Sequence, residues 1–267
     1  MRKVAVIPAR WSSTRLKEKV LADIDGKPML RHVWERVKMA HEVDEVIVAC
    51  DKEKVLKIAE AFGARCMFTS PEHSSGTDRI SEVAGSVDAD VYINVQADEP
   101  MIDPLTIDNL AQVFEYEKNI QMATLIKRIE KEEDITDPNV VKVVVDRKAF
   151  ALYFSRSPIP YMRRKALDPD IAGGTVGHEA TGGYYKHIGI YAYTKDFLFT
   201  YRNLPRSVLE TDEQLEQLRV LEHGYKIKTI EIRSETIGVD TQEDLDKVRQ
   251  IFAEEKAKSG NGKNNGN

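Results

Sequence analysis

The first part of the chain alternates short, continuous apolar runs with segments whose apolar residues recur at helical spacing. The run at residues 4–7 has the length and continuity of a buried strand, and residues 45–50 and 65–68 are expected to form a second and a third strand. Between them, residues 30–37 and 55–62 each carry one apolar face at the spacing of a helix. Strands that alternate with helices predict βαβ units, and therefore a parallel sheet with helices on both faces.

The pattern changes in the middle of the chain. An apolar run at residues 91–95 and a helical pattern at 104–116 continue the first scheme. Four strand-like runs then follow with little helix between them: "QMATLIKRI", "VVKVVVD", "ALYFSR" and "KHIGIYAYT". They predict an antiparallel extension of the sheet or a β-rich insertion, which we place at about 138–195. Residues 162–185 are glycine-rich and lack an apolar period, so we expect a mobile loop there.

The last part of the chain returns to alternating elements. We expect a helix at residues 210–221, a strand at 225–232, a short strand at 237–240 and a closing helix at 242–256. The tail at 257–267 ends in "SGNGKNNGN", which has no apolar residue to bury and is expected to be disordered. We therefore expect a single α/β domain over residues 1–256, with the β-rich insertion inside it.

Composition and charge narrow the possible partners. The chain has 267 residues, with 39 Lys plus Arg, 44 Asp plus Glu and a net charge of −5. A mildly acidic chain is unsuited to sequence-independent binding of DNA or RNA. Its two cysteines cannot supply a four-ligand zinc site and suit a reducing compartment. The sequence shows neither a secretory signal peptide nor an apolar stretch long enough for a membrane span, so we expect a cytoplasmic protein.

The segment "IPARWSSTRLKEK" (residues 7–19) follows the first predicted strand and carries four basic residues but no glycine. Its position places it at the carboxyl edge of the sheet, where open α/β sheets bind ligands. Backbone amides and basic side chains there would meet a polyphosphate. Arg15 and Lys19, four positions apart, could both reach one anion. The alternative is a solvated surface loop.

Two aspartates follow later apolar runs. "VYINVQADEP" delivers Gln96 and Asp98 to the same sheet edge, where a carboxylate that faces a phosphate loop can hold Mg²⁺. The alternative role for such an acid is a helix N-cap. In "IGVDTQEDL", a capping box explains Thr241 and Asp244 but not Asp240, which is a candidate second metal ligand.

Other candidate residues have structural alternatives of comparable weight. The turn "SSGTDR" (74–79) could hydrogen-bond a base or ribose, or cap a helix through Thr77 or Asp78. Arg156 has the planar guanidinium suited to a carboxylate. His187 opens a strand, where a lone histidine is more often structural. Glu210, like Glu213, could simply mark the acidic start of a helix.

Several motifs, read in order, resemble one enzyme family. They are "IPARWSSTRLKEK", "SPEHSSGTDR", "NVQADEP", "DPNVVKVVVD", "ALYFSRSPIPY", "KHIGIYAYT", "LEQLRVLEHG" and "GVDTQEDL". Together they look like the 3-deoxy-manno-octulosonate cytidylyltransferase family, over residues 4–249. Single motifs occur in other nucleotidyltransferases, but the combination of "ALYFSR", "KHIGIYAY" and "LEQLRVLEHG" is specific to this family.

The resemblance implies a fold, a reaction and a partner. The fold is that of the nucleotide-diphospho-sugar transferases, Rossmann-like with a mixed, mainly parallel sheet and a β-rich insertion used for dimerisation. The reaction is CTP plus 3-deoxy-D-manno-octulosonate (Kdo) giving CMP-Kdo and pyrophosphate with Mg²⁺, for lipopolysaccharide biosynthesis. We expect a homodimer that binds neither nucleic acid nor membrane. The alternatives are CMP transfer to a related acid, such as 8-amino-Kdo or a sialic-type acid, and a non-catalytic nucleotide-binding module. The presence of both Asp98 and Asp240 argues against the latter.

The resemblance also assigns residues to roles. At CTP it places Ala9, Arg10, Ser13, Arg15, Lys19, Ser75, Gly76, Thr77, Arg79 and Gln96. Near the sugar acid it places Gln96, Arg156, His187, Glu210 and Gln214. It gives the metal to Asp98 and Asp240, and the catalytic roles to Arg15, Lys19, Asp98 and Asp240.

The chain departs from the family pattern at two points. It has Lys17-Glu18 where the family usually has Pro-Gly, which adds a negative charge near the phosphates. It has Ala97 where the family usually has glycine, and a methyl group there would crowd the backbone if the position required a positive φ. We expect both departures to affect rate rather than reaction.

Overall fold

The computed structural model describes residues 1–11, 16, 18–73, 75–162, 183–234 and 236–261. Two compact units divide the chain. Unit 1 consists of residues 1–111 together with the chain from Ser234 onward, and unit 2 consists of residues 112–233. Unit 2 is thus a continuous segment between the two parts of unit 1.

Unit 1 contains four parallel strands in the order β6-β1-β4-β5. They are β1 (Lys3–Ala9), β4 (Glu45–Cys50), β5 (Arg65–Phe68) and β6 (Val91–Asn94), and a separate small hairpin joins β2 (Asp23–Ile24) to β3 (Lys27–Pro28). In the register, Val6 of β1 lies opposite Ile47 on one side and Asn94 on the other. The apolar runs of β1, β4 and β6 follow from this arrangement, because a parallel strand covered on both faces needs apolar residues at nearly every position. β5 lies at the edge of the sheet, and its end residues are exposed.

The helices of unit 1 are α1 (Met29–Val37), α2 (Glu53–Ala61), α3 (Gly76–Ser86), α4 (Pro104–Tyr116, which runs into unit 2) and α9 (Gln242–Asn261). A short 3-10 turn covers Lys19–Leu21. The closing helix α9 packs Leu245 and Val248 into a buried cluster with Ile24, Met29 and Val239. The C-terminal segment is therefore part of the core that also holds the region just after the basic segment.

Unit 2 contains the antiparallel strands that the apolar pattern predicts. Its strands are β7 (Met122–Arg128), β8 (Lys142–Val145), β9 (Ala151–Ser155), β10 (Tyr185–Thr194) and β11 (Lys228–Ile232). β7 pairs antiparallel with β10 and parallel with β11, while β8 pairs antiparallel with both β10 and β9. Its helices are α5 (Glu132–Thr136), α6 (Lys195–Asn203), α7 (Val208–Glu213) and α8 (Gln217–Glu222).

Three expected elements differ from the structure. The single helix expected at 210–221 is wrong: Gln214 adopts a left-handed conformation (φ 53°), which ends α7 and separates it from α8. Residues 237–240 do not form a strand, although the N–H of Val239 donates to the carbonyl of Asp98 at 2.9 Å. The closing helix continues to Asn261, past its expected end at residue 256. Most of the loop expected at 162–185 lies outside the described residues.

No helix within the described part of the chain is long and apolar enough to cross a membrane.

Glu18 occupies a backbone conformation that usually favours glycine. It has φ 55° and ψ 30°, immediately before the 3-10 turn that begins at Lys19. A side chain in this left-handed region costs about 1–2 kcal/mol, because Cβ approaches the following carbonyl oxygen. The Glu18 carboxylate lies 2.8 Å from Nζ of Lys54 on α2, and both side chains are partly exposed. Such an exposed ion pair returns at most about 1 kcal/mol.

We predict that Glu18→Gly is more stable than Glu18→Ala by about 1 kcal/mol, because only glycine relieves the positive φ. Urea unfolding of the two variants measures the difference directly. The matched control is Glu60, an exposed position on α2, where alanine should be more stable than glycine by about 1 kcal/mol. The same order of stability at both positions would contradict the left-handed conformation of Glu18.

Candidate functional site

Lys19 lies between two carboxylates of unit 1. Its Nζ donates to Oδ2 of Asp98 at 2.6 Å and to Oδ1 of Asp240 at 2.9 Å. The side chain of Lys19 is 13% exposed, that of Asp98 28% and that of Asp240 55%. The site therefore opens to solvent on the side of Asp240. The structure brings together three of the residues that the sequence assigned to catalysis.

The fold explains why these three side chains meet. Asp98 follows β6, and the segment that carries Lys19 follows β1, so both leave the carboxyl edge of neighbouring parallel strands. Asp240 lies two residues before α9, which begins at Gln242, and the hydrogen bond from the N–H of Val239 to the carbonyl of Asp98 holds this segment in place. The predicted reciprocal capping of Thr241 and Asp244 is present: each backbone N–H donates to the other residue's side chain, at 2.8 and 3.2 Å. Asp240 is thus presented at a helix start that is already capped.

Burial and neighbouring charges shift the pKa values of two residues of the site. Burial alone would lower the pKa of Lys19, but the adjacent carboxylates of Asp98 and Asp240 outweigh it and raise that pKa above its ordinary value. Lys19 is therefore an ammonium ion at any physiological pH. Next to Asp98, burial and the neighbouring negative charge raise the pKa of Glu99 to about 8. The Oε2 atom of Glu99 has no hydrogen-bond partner among the described residues.

The carboxylates of Asp98 and Asp240 converge on one cationic nitrogen, so the same oxygens could face a metal cation. Carboxylate oxygens suit Mg²⁺, which prefers oxygen ligands and keeps several waters or phosphate oxygens. Among the described residues, no group of three or more His, Cys, Asp or Glu could hold a metal by itself. A cation at this position would therefore need further oxygens from a ligand or from water.

Residues 75–79 form the start of helix α3. Ser75 is the N-cap of α3, and its hydroxyl accepts the N–H of Asp78 at 3.1 Å while the Asp78 carboxylate accepts the N–H of Ser75 at 3.2 Å. The expectation that Thr77 or Asp78 would be the N-cap is wrong, because this reciprocal box places the cap two or three residues earlier. Gly76 faces the side chains of Pro8 and Asn94, at the end of β1 and β6. The N-terminus of α3 thus lies beside the strand that leads into the basic segment.

Arg79 points into the interior. Its Nη2 donates to Oδ2 of Asp51 at 2.9 Å, its Nη1 donates to the hydroxyl of Thr69, and the residue is 2% exposed. Asp51 is the residue immediately after β4, and Asp98 lies four residues beyond the end of β6. The signal for Asp51 in the sequence is an acidic residue directly after the apolar run at 45–50.

The other nucleotide candidates vary in their surroundings. Ala9 ends β1 and is fully buried, Arg10 is exposed, Thr77 is buried and Gln96 is half-buried. Ser13 and Arg15 lie outside the described residues. Ala97 is not among the residues with positive φ in the described chain, so its methyl group causes no backbone strain.

In unit 2, Arg156 and Gln214 lie together around Glu213. The Nε of Arg156 donates to the carbonyl of Glu213 at 2.8 Å and its Nη2 to the carbonyl of Gln214 at 3.4 Å. The Glu213 carboxylate accepts the N–H of Arg156 at 2.9 Å and the hydroxyl of Ser155 at 2.5 Å. Glu213 is thus more than an acidic residue near a helix end: it fixes the end of β9 against the α7–α8 connection.

Glu210 and His187 have well-defined neighbours as well. The Glu210 carboxylate forms a two-point ion pair with Arg219, of which the Nε bond measures 2.7 Å. The Nε2 of His187 lies 3.0 Å from the hydroxyl of Thr124, and its ring lies 5.1 Å from the ring of Phe154. Burial lowers the pKa of His187 to about 3, so the imidazole is neutral at physiological pH.

Comparison with known proteins provides independent information. The cytidylyltransferase family profile matches residues 4–230 of the chain. The chain is 47% identical over 249 residues to the 3-deoxy-manno-octulosonate cytidylyltransferase of Solibacter usitatus, covering 93% of this chain and 94% of that protein. It is 49% identical over 248 residues to the protein of the same name from Geobacter metallireducens, with 93% and 96% covered.

A solved structure gives the same result in three dimensions. It is a CMP:2-keto-3-deoxy-manno-octonic acid synthetase complexed with CTP, to which the chain is 44% identical with a TM-score of 0.86. The match covers 96% of this chain and 100% of that one. The fold expected from the sequence, a nucleotide-diphospho-sugar transferase fold with a mixed, mainly parallel sheet, is confirmed. The chain belongs to the 3-deoxy-manno-octulosonate cytidylyltransferase family.

Proposed function

We propose that this protein transfers the cytidylyl group of CTP to the anomeric hydroxyl of Kdo, releasing pyrophosphate and forming CMP-Kdo for lipopolysaccharide biosynthesis. The observation that carries the proposal is the position of Lys19 between Asp98 and Asp240 at the carboxyl edge of the parallel sheet. Family membership supports the same reaction, since the relatives are 3-deoxy-manno-octulosonate cytidylyltransferases.

The positive side of the site suits a triphosphate. Lys19 remains an ammonium ion, and Arg10 extends from the end of β1 into solvent. Charge accumulates on the departing pyrophosphate as the bond to the α-phosphorus breaks, and cationic groups that are already in place stabilise it. We assign this role to Lys19, and we propose that Arg15 adds to it. Ala9, Ser13, Ser75, Gly76, Thr77 and Gln96 remain proposed CTP contacts.

The negative side of the site suits Mg²⁺. Two carboxylates already converge on a cation, and their oxygens are the ligands that Mg²⁺ prefers. Asp98 and Asp240 would hold the ion. When bound, it would neutralise phosphate charge and orient the triphosphate for in-line displacement. Lys19 would then be free to turn from the carboxylates towards the phosphates.

We assign the contacts to the sugar acid to Gln96, Arg156, His187, Glu210 and Gln214, as the family resemblance suggests. Arg156 and Glu210 already hold internal partners, so their contribution would be to fix the local backbone as well as to bind. His187 is neutral, so it would act on the sugar acid through hydrogen bonds rather than charge.

An assay of pyrophosphate release from CTP, run with Kdo, 8-amino-Kdo and a sialic-type acid, tests the proposed substrate. We expect kcat/KM to be highest for Kdo. Preference for another acid would support the alternative of CMP transfer to a related sugar, and no release with any of them would favour a non-catalytic nucleotide-binding module. The cytoplasmic location, the homodimer and its use of the β-rich segment remain predictions.

Replacing Asp98 or Asp240 by Asn is expected to lower kcat/KM at least about 100-fold, because the amide keeps the shape but removes the charge that holds the cation. Pyrophosphate release with CTP and Kdo, measured over a range of Mg²⁺ concentrations, is the test. In both variants, the Mg²⁺ concentration that gives half the maximal rate should increase, relative to the parent protein, by a larger factor than the KM for Kdo does.

The matched control for this pair is Asp246→Asn on α9. Asp246 pairs with Arg249 at the surface, 3.0 Å away, so its replacement should leave the rate and the Mg²⁺ dependence unchanged. Normal pyrophosphate release by folded Asp98→Asn or Asp240→Asn at ordinary Mg²⁺ concentration would rule out the two-carboxylate site.

The neutral state of His187 predicts a pH effect on stability. Its pKa in the folded protein is about 3, below the unfolded value near 6.5, so the unfolded chain binds the additional proton as the pH falls below 6.5. The free energy of unfolding should therefore fall by up to about 1.4 kcal/mol between pH 7.5 and 5.5 on account of this residue. His187→Gln should remove that part of the fall, as measured by urea unfolding at the two pH values. An identical pH dependence in parent and variant would contradict burial as the cause.

A further inference from the structure

A buried carboxylate just after β4 holds Trp11 of the basic segment, two residues beyond the end of β1. The Oδ1 of Asp51 accepts the backbone N–H of Trp11 at 2.8 Å, and its Oδ2 accepts Nη2 of Arg79 at 2.9 Å. The Asp51 side chain is only 8% exposed and the Arg79 side chain 3%. Hydrogen bonds to a charged group in such a setting are strong, and a partner that is left unpaired is costly.

Arg79 is itself held from the other side. Its Nη1 donates to the hydroxyl of Thr69, and that hydroxyl donates to the carbonyl of Cys50 at 3.1 Å. The end of β4, the chain just after β5 and helix α3 are thereby joined through one guanidinium group. The orientation of the Asp51 carboxylate follows from these contacts, because one of its oxygens is fixed by Arg79 and only the other can meet Trp11.

We propose that Asp51 and Arg79 are positioning residues for nucleotide binding: they fix the peptide of Trp11, and with it Arg10, just beyond the end of β1. Arg79 acts through Asp51 and does not contact CTP. Arg79 thus supports CTP binding indirectly, which explains why an arginine of a proposed nucleotide-binding motif lies buried against an aspartate. Only the kinetic test of this proposal rests on the proposed function.

A matched bond at the opposite end of the same strands provides the control. The Oδ2 of Asp44, just before β4, accepts the backbone N–H of Lys3 at 2.7 Å at the start of β1. Asp44 and Asp51 therefore make the same kind of bond to β1 at its two ends. Only the end that carries Asp51 leads into the basic segment, so only Asp51 should affect the nucleotide.

The test uses Asp51→Asn, in which the amide can accept from Arg79 or from Trp11 but not from both. We expect the KM for CTP to rise about 10-fold or more, with a smaller change in kcat and an unchanged KM for Kdo. Asp44→Asn should leave both KM values unchanged. The double variant Asp51→Asn/Arg79→Gln carries no buried unpaired charge, and it should raise the KM for CTP no further than Asp51→Asn alone.

Tryptophan fluorescence reports on the positioning without any substrate. The chain has two tryptophans, Trp11 and Trp34, so a Trp34→Phe background leaves Trp11 as the only emitter. The Trp11 ring faces Nζ of Lys54 at 4.9 Å. In that background, Asp51→Asn should increase acrylamide quenching and lower the anisotropy of Trp11, whereas Asp44→Asn should change neither.

Each result decides the proposal. Unchanged KM for CTP and unchanged Trp11 quenching in folded Asp51→Asn would overturn it. If the KM for CTP is clearly higher in the double variant than in Asp51→Asn alone, Arg79 contacts CTP directly, and this result would overturn its positioning role. If Asp51→Asn does not fold, the neutral double variant makes the same test against the parent. A parent that releases no pyrophosphate contradicts the proposed function alone, since CTP titration and Trp11 quenching still test the positioning.

Discussion

The candidate site depends on one interaction, the pairing of the Lys19 ammonium group with the carboxylates of Asp98 and Asp240. Its partners lie 79 and 221 positions away in the sequence, and parallel strand pairing brings the first of them to the same sheet edge. The second is brought there by α9, whose apolar face packs beside the β2–β3 hairpin. One cation thus joins three distant segments, and the same carboxylates suit a metal ion because oxygen ligands are already gathered.

Two residues of the basic segment are held by different kinds of contact. Trp11 is fixed by the buried carboxylate of Asp51, and Lys19, the last residue of the segment, lies in a site that opens to solvent. A buried, fully paired carboxylate stabilises one backbone position, whereas a partly exposed one can exchange a lysine for another cation. Asp51 is therefore suited to hold the backbone in position, whereas the carboxylates around Lys19 are suited to take part in the proposed reaction.

Much of the fold followed from the sequence because β1, β4 and β6 are buried on both faces. The run at 45–50 coincides with β4, which is buried from Val46 to Cys50. The run at 65–68 coincides with β5, although this strand lies at the edge of the sheet and its end residues Arg65 and Phe68 are exposed. The break at Gln214 could not be predicted, because glutamine seldom adopts a positive φ and the apolar spacing continues across it. The pairing of Arg79 with Asp51 was also missed, because it joins two elements 28 positions apart and no local pattern reports it. For the candidate site, the strand-end position drew attention to Asp98, whereas its closeness to Asp240 and Lys19 depends on the tertiary structure.

Binding of Mn²⁺, a paramagnetic substitute for Mg²⁺, tests the central claim most directly. Electron paramagnetic resonance can count the Mn²⁺ bound to the protein in the presence of CTP, for the parent and for the double variant Asp98→Asn/Asp240→Asn. The account predicts that the parent binds Mn²⁺ together with CTP and that the double variant, still folded, loses that binding. Equal binding of Mn²⁺ by the two proteins would contradict the assignment of this carboxylate pair to the metal.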